Sequence, residues 1–399
     1  MVRVEPTPPI GFAVWVALAS QLLMNMAAFV ATPFIAIYLG KNLQFSPSEV
    51  GTIVSVMMVS GRLLQILTGP LADRVGGHSM MLAGLLLRAA GFAGFAFLTA
   101  WWELLLMTLL AGLGGALYEP SVNATFAAQP AEIRPRVFML RNQFLNIGVV
   151  IGPMLGAALV GHGIQAPFLS AAACFVVLCV LLVATGPLVK SPERRPSVLE
   201  NYRVALRHRP FWAFWGVMAL WWMLFSQLFV SLPVKALEIG GSERWVSAVF
   251  LVNGVVGTVA ILLVHRLNER LPVHRSLLVG IVLAGLGLGF VPLFPAMGWL
   301  LACVLVYTLG ESITQPCADV MVAGFADART GATFFGLYSG SYALGVTLGN
   351  YLGSWLVVRL AGAGPWIIYG AIGAMGALGL VLYSRRFIDS VKAEPELAR

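Results

Sequence analysis

Twelve apolar runs dominate this chain, each long enough to cross a bilayer as a helix of about 20 residues. They cover residues 10–39, 50–71, 80–100, 104–126, 137–160, 168–189, 211–237, 246–264, 277–296, 300–325, 334–360 and 366–383. Of all residues, 59% are hydrophobic and 11% are charged, against about 25% charged in a soluble domain. We therefore predict an all-α membrane protein with twelve transmembrane helices, and this composition excludes a large soluble catalytic domain.

The basic residues fall mostly on one side of the predicted spans. With the amino terminus inside, nineteen Lys and Arg residues lie in cytoplasmic segments, Arg141 among them, and four lie outside. This asymmetry predicts that both termini are cytoplasmic. The net charge of +8 is then an orientation signal, and nucleic acid is not expected as a partner.

An internal repeat divides the chain into two halves. A shift of 196 residues places Gly61 on Gly257, Asp73 on Glu269, Gly84 on Gly280, Gly114 on Gly310 and Pro120 on Pro316, and a shift of 197 places Gly152 on Gly349. A shared shift over four consecutive spans indicates parallel repeats. We predict a six-helix bundle over residues 1–189 and a cytoplasmic linker over 190–209, partly an amphipathic helix. A second six-helix bundle with a short cytoplasmic tail then covers 210–399.

The tenth run contains a stripe of polar side chains. Thr308, Glu311, Gln315 and Asp319 recur at steps of three and four residues, so a helix places them on one face. A carboxylate is costly in lipid, so we expect this face to point toward the bundle interior or a water-filled cavity. Pro316 removes a backbone hydrogen bond from the same helix and predicts a kink.

Residues 69–78, in the predicted loop between the second and third spans, read GPLADRVGGH. This segment resembles the signature loop of the major facilitator superfamily, a Gly-x-Leu-Ala-Asp-Arg-x-Gly sequence that ends in basic residues. The match runs from Gly69 through Asp73 and Arg74 to Gly76, and departs at the last two positions. The resemblance implies the major facilitator fold, with Asp73 and Arg74 latching the two halves on the cytoplasmic side. The alternative is that Asp73 only caps a helix in a tight loop.

The fifth run contains a second motif, made of Gly148, Gly152, Pro153 and Gly156. Glycines four residues apart allow close helix approach, and proline bends a helix. The motif resembles the Gly-Pro-rich fifth-span motif of antiporters in this superfamily. Together with residues 87–92, 112–120 and 310–316, it is similar to the drug:proton antiporters, including the MdtH-like and LmrP-like multidrug exporters. In those exporters a tenth-span glutamate is linked to protons, and Glu311 occupies the matching place.

Five ionisable side chains are predicted to be buried within the spans: Arg62, Arg88, Glu119, Glu311 and Asp319. A carboxylate whose protonation changes with its access side can couple proton flow to a conformational change. We predict proton-coupling roles for Glu311 and Glu119, with Arg62 pointing inward and modulating Glu311. The alternatives are that Arg62 and a carboxylate form a static buried pair, and that Glu119 is a gate residue. Asp319 is expected to be structural.

The resemblance also implies a central cavity lined by spans one, four, seven and ten. The polar and aromatic residues predicted to line a substrate cavity are Asn25, Phe29, Asn146, Trp222, Gln227, Thr308, Gln315, Tyr338 and Tyr342. The alternative for the aromatic residues is packing between helices or contact with lipid.

These features predict a secondary active transporter rather than an enzyme. It would be a proton-coupled antiporter that exports amphipathic or organic small molecules across a bacterial inner membrane by alternating access. The expected energy source is the proton gradient, with no cofactor and no metal, because the sequence has no nucleotide-binding loop and no metal-ligand cluster. The expected partners are protons, a small-molecule substrate and the lipid bilayer, and the chain is expected to be a monomer. The alternatives are a proton symporter that imports a small organic solute or anion, an exporter of one metabolite such as a siderophore, and a membrane sensor or scaffold.

Overall fold

The structure is a computed structural model that describes residues 10–187, 197–260, 264, 266–267, 270–327, 329–360 and 362–389. Within these ranges the chain is largely helical, and none of the described residues lies in a β-strand. The α-helices are α1 (Phe12–Ile37), α2 (Pro47–Leu63), α3 (Gln65–Val75), α4 (Gly77–Phe97), α5 (Trp101–Ala127), α6 (Arg134–Val160), α7 (Ala166–Thr185), α8 (Val198–Arg207), α9 (Arg209–Phe225), α10 (Ser231–Gly240), α11 (Glu243–Val259), α12 (Val273–Gly289), α13 (Met297–Phe325), α14 (Gly331–Arg359) and α15 (Gly364–Ser384).

Most of these helices are suited to a membrane. Among the described residues, nine helical stretches are long and apolar enough to cross a bilayer, and ten if α2 and α3 form one bent span. Two further helices, α11 with 17 residues and α14 with 29 residues, lie where the eighth and eleventh spans are predicted. The predicted all-helical membrane fold is therefore confirmed, while the number of twelve spans stays a prediction.

The first of two compact units comprises described residues within Met1–Ala205 and Ala323–Gly340. In this unit α1 packs against α6 and α7, and α4 packs against α5 and α7. Aromatic side chains fill the contacts with α7, where Phe92 and Phe175 place their ring centroids 5.5 Å apart. The same unit includes Ala323–Gly340, which contains the start of α14, although this segment lies far from the other helices of the unit in sequence.

The second unit comprises described residues within Leu206–Val322 and Ser341–Arg399. In this unit α12 packs against α15, α15 packs against α9, and α10 packs against α11. The domain boundaries predicted at 189/190 and 209/210 stay predictions, and residues 188–196 lie outside the described part of the chain.

The internal repeat is visible in how glycines pack within each unit. A Cβ on Gly84 of α4 would collide with the backbone of Gly114 in α5, and a Cβ on Gly280 of α12 would meet the backbone of Gly310 in α13. These two contacts are 196 residues apart, as the sequence repeat requires. Because small residues let helix backbones approach closely, both units use the same device at the same positions.

Two predicted spans are interrupted. The second is bent by 44° where α2 ends at Leu63 and α3 begins at Gln65. The seventh divides into α9, a 3-10 turn at Ser226–Leu228, and α10. Neither break contains a proline or a charge, so hydropathy alone does not detect it. By contrast, α13 continues through Pro316 without interruption.

The segment predicted as a loop at residues 69–78 is mostly helical. α3 continues to Val75 and α4 begins at Gly77, so Gly76 alone connects them. Gly76 has a φ angle of 111°, which glycine adopts without the steric penalty of a side chain. A single glycine therefore replaces the predicted loop.

Candidate functional site

The polar stripe of the tenth span forms a hydrogen-bonded cluster around Glu311. Asn253 of α11 donates from Nδ2 to Glu311 Oε2 at 2.8 Å, and Gln315 donates from Nε2 to Glu311 Oε1 at 3.3 Å. Each carboxylate oxygen thus accepts one amide N–H. All three residues belong to the second unit and are half-buried.

A threonine defines the orientation of the Asn253 amide. Thr308 donates its hydroxyl hydrogen to Val304 O at 2.8 Å, so the Thr308 oxygen is available as an acceptor. Asn253 Nδ2 lies 3.1 Å from that oxygen, and only the NH2 end of an amide can donate there. The same NH2 group therefore supplies one hydrogen to Thr308 and the other to Glu311.

The partners that hold Glu311 are neutral. Protonation of a buried carboxylate that is paired with a cation leaves that cation uncompensated. Removal of one partner of such a buried pair costs about 3–5 kcal/mol. The two amides at Glu311 carry no charge that protonation would leave unpaired. This arrangement suits a carboxyl group that binds and releases a proton.

Asn253 is a site residue that the sequence-based prediction missed. It lies in the middle of the apolar segment that becomes α11, with Val252 before it and Gly254 after it. A polar amide at this depth needs a hydrogen-bond partner. That single interruption of an apolar run was the available signal.

The first unit contains a pair of oppositely charged side chains in its interior. Arg141 of α6 forms an ion pair with Glu119 of α5, with 3.4 Å between Nη2 and Oε2 and side-chain exposures of 10% and 20%. In the sequence-based topology Arg141 counts toward the cytoplasmic side, and in the structure it lies inside α6 and is buried. Residue 141 follows the start of the fifth apolar run at residue 137, which is the sequence signal for a position inside the helix.

Arg88 lies in α4 of the same unit. Its guanidinium carbon is 5.1 Å from the centroid of the Phe175 ring, within the range of a cation–π interaction. The buried Nε of Arg88 has no hydrogen-bond partner among the described residues. The charges of Glu119 and Arg62 both act on this guanidinium.

The residues predicted to take part in proton coupling are divided between the two units. Glu119 and Arg62 belong to the first unit, and Glu311 belongs to the second. Arg62 lies one residue before the end of α2, and its side chain is exposed. The modulation of Glu311 by Arg62 and the roles of Glu119 stay predictions, as does the structural role of Asp319, which is buried in α13.

Asp73, near the end of α3, caps the start of α14. Asp73 Oδ1 accepts from Ala332 N at 2.9 Å, and Oδ2 accepts from Thr333 N at 2.8 Å and from Thr333 Oγ1 at 2.6 Å. Thr330, just before α14, donates its hydroxyl to Asp327 Oδ1 at 2.7 Å and leaves these N–H groups to Asp73. Asp73 therefore caps a helix, but one that lies 259 residues later in the chain.

The glycines of this motif allow the contact. A Cβ on Gly69 would collide with Ala332 O, and a Cβ on Gly336 would collide with Gln65 O. The backbones of α3 and the start of α14 approach each other at these two glycines. Arg74, the other motif residue, has an exposed side chain.

The described part of the predicted linker forms α8 and packs against the same region. Asn201 Nδ2 donates to Asp73 Oδ2 at 3.4 Å and to Arg329 O at 3.2 Å, and Tyr202 Oη donates to Ile66 O at 2.7 Å. Asn201 is fully buried, so one face of this short helix is covered by protein. Linker residues 190–196 lie outside the described residues.

Two ionisable groups near α8 lie outside the predicted spans. Burial raises the pKa of the Tyr202 phenol. Partial burial of Asp327 acts to raise its pKa, but the hydrogen bonds from Thr330 and from Arg329 N outweigh this effect and lower it overall. Asp327 is thus charged near neutral pH at the turn that leads into α14.

The fifth-span glycines face α1. A Cβ on Gly148, Gly152 or Gly156 would meet the carbonyl oxygens of Leu22, Met26 and Val30, respectively. Pro153 lies inside α6, which continues to Val160. These residues bring two helices of the first unit together, and the antiporter role implied by the motif stays a prediction.

The cavity residues predicted in the first unit are dispersed. Asn25 donates from Nδ2 to Leu145 O of α6 at 3.0 Å, and Phe29 lies against Gly152. Asn146 is exposed and Tyr338 is buried. Asn25 and Phe29 thus take part in the contact between α1 and α6.

In the second unit, two predicted cavity residues are in contact. The rings of Trp222 and Tyr342 have centroids 4.8 Å apart in an edge-on arrangement, and Phe225 packs on Trp222 at 5.2 Å. Gln227 is only 1% exposed and donates to Gly349 O at 2.9 Å. Gln227 therefore joins α14 to the turn after α9 in this structure, and its contact with substrate stays a prediction.

Known proteins resemble this chain over most of its length. The multidrug resistance protein MdtH of Shigella dysenteriae serotype 1 is 26% identical over 368 residues, which cover 91% of this chain and 92% of that protein. The MdtH protein of Photorhabdus laumondii is 27% identical over 385 residues, covering 94% and 95%. The crystal structure of the human organic anion transporter MFSD10 has a similar fold, with a TM-score of 0.77, 17% identity, and coverage of 92% of this chain and 98% of that one.

The sequence pattern described as Major Facilitator Superfamily matches residues 17–333 and 246–398. These two matches together span nearly the whole chain. The protein is therefore a multi-pass membrane transporter that belongs to the Major Facilitator Superfamily.

Proposed function

We propose that this transporter is a proton-coupled antiporter that exports amphipathic or organic small molecules. Glu311 takes up a proton on one side of a bacterial inner membrane and releases it on the other, as the site alternates its access. The proton gradient supplies the energy, without a bound cofactor. Both termini lie in the cytoplasm, and the working unit is a monomer.

The observation that carries this proposal is the set of neutral partners around Glu311. Asn253 and Gln315 each donate one amide N–H to the carboxylate. The side chain is half-buried. A carboxyl group in such surroundings can change protonation state without leaving a buried cation unpaired.

The likeness to MdtH supports export of several organic compounds, since those relatives are named multidrug resistance proteins. The fifth-span glycines support antiport through their resemblance to the antiporter motif. Export of one dedicated metabolite is a narrower form of the same function.

A second candidate is proton-coupled import of a small organic anion. Among the described interior residues of the first unit, Arg141 forms an ion pair with Glu119, and Arg88 adds a second cation. Two cations and one anion leave a positive surplus, which favours a negatively charged substrate. Arg88 carries this argument, because its buried Nε has no protein acceptor among the described residues.

The direction of flux separates these functions. Everted and right-side-out membrane vesicles are given an imposed pH gradient, with ethidium as the cationic probe and carboxyfluorescein as the anionic one. The proposal predicts accumulation of ethidium in acid-loaded everted vesicles, and its loss when a protonophore collapses the gradient. Accumulation of carboxyfluorescein in right-side-out vesicles with acid outside would instead establish import. Vesicles that match a transporter-free control with both probes would contradict both proposals.

A further inference from the structure

Among the described residues of the second unit, the amide of Asn253 makes the shortest hydrogen bond to Glu311. It reaches Glu311 from a different helix, at 2.8 Å, whereas Gln315 lies on the same helix and is longer at 3.3 Å. Its second N–H is held by Thr308 at 3.1 Å, and the Thr308 hydroxyl is itself directed to Val304 O. Asn253 thus has little freedom to rotate while Glu311 is ionised.

We propose that Asn253 is the positioning residue that stabilises the ionised form of Glu311 and so sets the pH range over which Glu311 binds its proton. This inference rests on the proposed function, in which Glu311 is the proton carrier. A hydrogen bond to a charged acceptor is stronger than one to a neutral acceptor, so the contact favours the carboxylate over the acid. Release of the proton is thereby favoured by a neutral hydrogen-bond donor.

The amide can also serve the protonated state. When Glu311 binds a proton, its O–H becomes a donor, and Asn253 can accept it on Oδ1 after its amide rotates by half a turn. Thr308 can then turn its hydroxyl from Val304 O toward the same Oδ1. An arginine at this position would have only donors, so it could not accept the O–H of the protonated carboxyl group.

Among the described residues of this unit, the titratable groups on the helices that pack around Glu311 are few. On its own helix, Tyr307 lies one turn before and donates to Phe225 O at 3.2 Å, and Asp319 lies two turns after. α12 meets this part of α13 at Gly280 and Ala284, which carry no charge. α11 contributes Asn253 at this level, while its Arg244 lies at the far end of that helix, where it stacks on Trp245.

The test is an infrared titration of the purified full-length protein in lipid nanodiscs. The carbonyl stretch of a buried carboxylic acid reports protonation directly, and Glu311→Gln identifies the band that belongs to Glu311. In Asn253→Ala, the loss of one charge-assisted hydrogen bond predicts a midpoint about one to two pH units higher than in the wild type. Asn253→Asp places a second carboxyl group against Glu311, so the pair is predicted to titrate in two separated steps.

Thr258→Ala is the matched control on α11. Thr258 is exposed and bonds only to Gly254 O of its own helix at 2.8 Å, so its loss is expected to leave the midpoint unchanged. Equal midpoints in Asn253→Ala and Thr258→Ala would overturn the inference. If Asn253→Ala does not fold, Asn253→Asp decides, because it keeps the shape of the side chain. A single, unshifted step in that variant would overturn the inference as well.

The infrared midpoint and the vesicle flux test different claims. The midpoint reports the contact between Asn253 and Glu311 in the absence of any substrate. The flux of ethidium reports proton-coupled export. Either result can therefore fail without the other.

Discussion

Replacement of Asp73 by alanine tests how the start of α14 is held. The carboxylate accepts the N–H groups of Ala332 and Thr333 at 2.9 and 2.8 Å and the Thr333 hydroxyl at 2.6 Å. The nearest local substitute is the hydroxyl of Thr330, which is engaged with Asp327. Asp73→Ala therefore leaves the first N–H groups of a 29-residue helix without their acceptor.

The size of the effect follows from two contributions. Loss of a helix-capping side chain costs about 1 kcal/mol. Loss of a negative charge from the positive end of a helix costs up to about 1 kcal/mol more. The sum, about 2 kcal/mol, corresponds to roughly 30-fold faster amide hydrogen exchange where exchange requires opening of this helix end.

Hydrogen–deuterium exchange measured by mass spectrometry can detect this change. The peptide that contains Ala332 and Thr333 is expected to exchange faster in Asp73→Ala, and less so in Asp73→Asn, which keeps one acceptor oxygen. Val75→Ala, an exposed neighbour on α3, is the control and is expected to match the wild type. Equal exchange at Ala332 and Thr333 in Asp73→Ala and Val75→Ala would refute the capping role.

Two further predictions concern stability in detergent, measured by thermal unfolding. Gly310→Ala is expected to lower the melting temperature, at a cost of about 1–3 kcal/mol, because its Cβ would collide with the backbone at Ala284. Gly324→Ala, which meets open space on the same helix, should leave it nearly unchanged, and equal effects would contradict the packing. Arg141→Met is expected to destabilise by up to about 3–5 kcal/mol, since it leaves the half-buried carboxylate of Glu119 without this partner. Addition of Glu119→Gln should restore most of this loss, and simple additivity of the two effects would argue against the ion pair.

Much of the fold could be predicted because membrane helices are constrained by simple rules. Length and apolarity are sufficient to identify most spans, and a helical period places Thr308, Glu311 and Gln315 on one face. The repeat of 196 residues also predicted which glycines would have equivalent contacts, as Gly84 and Gly280 show. These features depend on residues close in sequence or on a regular period.

The missed features depend on partners far away in the chain. Asn253 and Glu311 are 58 residues apart, and Asp73 and Thr333 are 260 apart, so no local pattern relates them. A count of basic residues does not show that Arg141 lies inside a helix, because it treats an interior arginine near a span end like one in a loop. The bend after Leu63 could not be predicted from hydropathy, because it changes the backbone geometry without changing the apolar character of the segment.

The most direct test of proton coupling is transport by Glu311→Gln in reconstituted vesicles. Glutamine keeps the shape of the side chain and one acceptor oxygen but cannot bind and release a proton. We expect this variant to lose accumulation of ethidium driven by a pH gradient and to keep exchange of labelled for unlabelled ethidium without a gradient. Glu103→Gln, at the first turn of α5, is the control and should accumulate ethidium as the wild type does. Accumulation by Glu311→Gln at the wild-type level would contradict the central claim that Glu311 carries the proton.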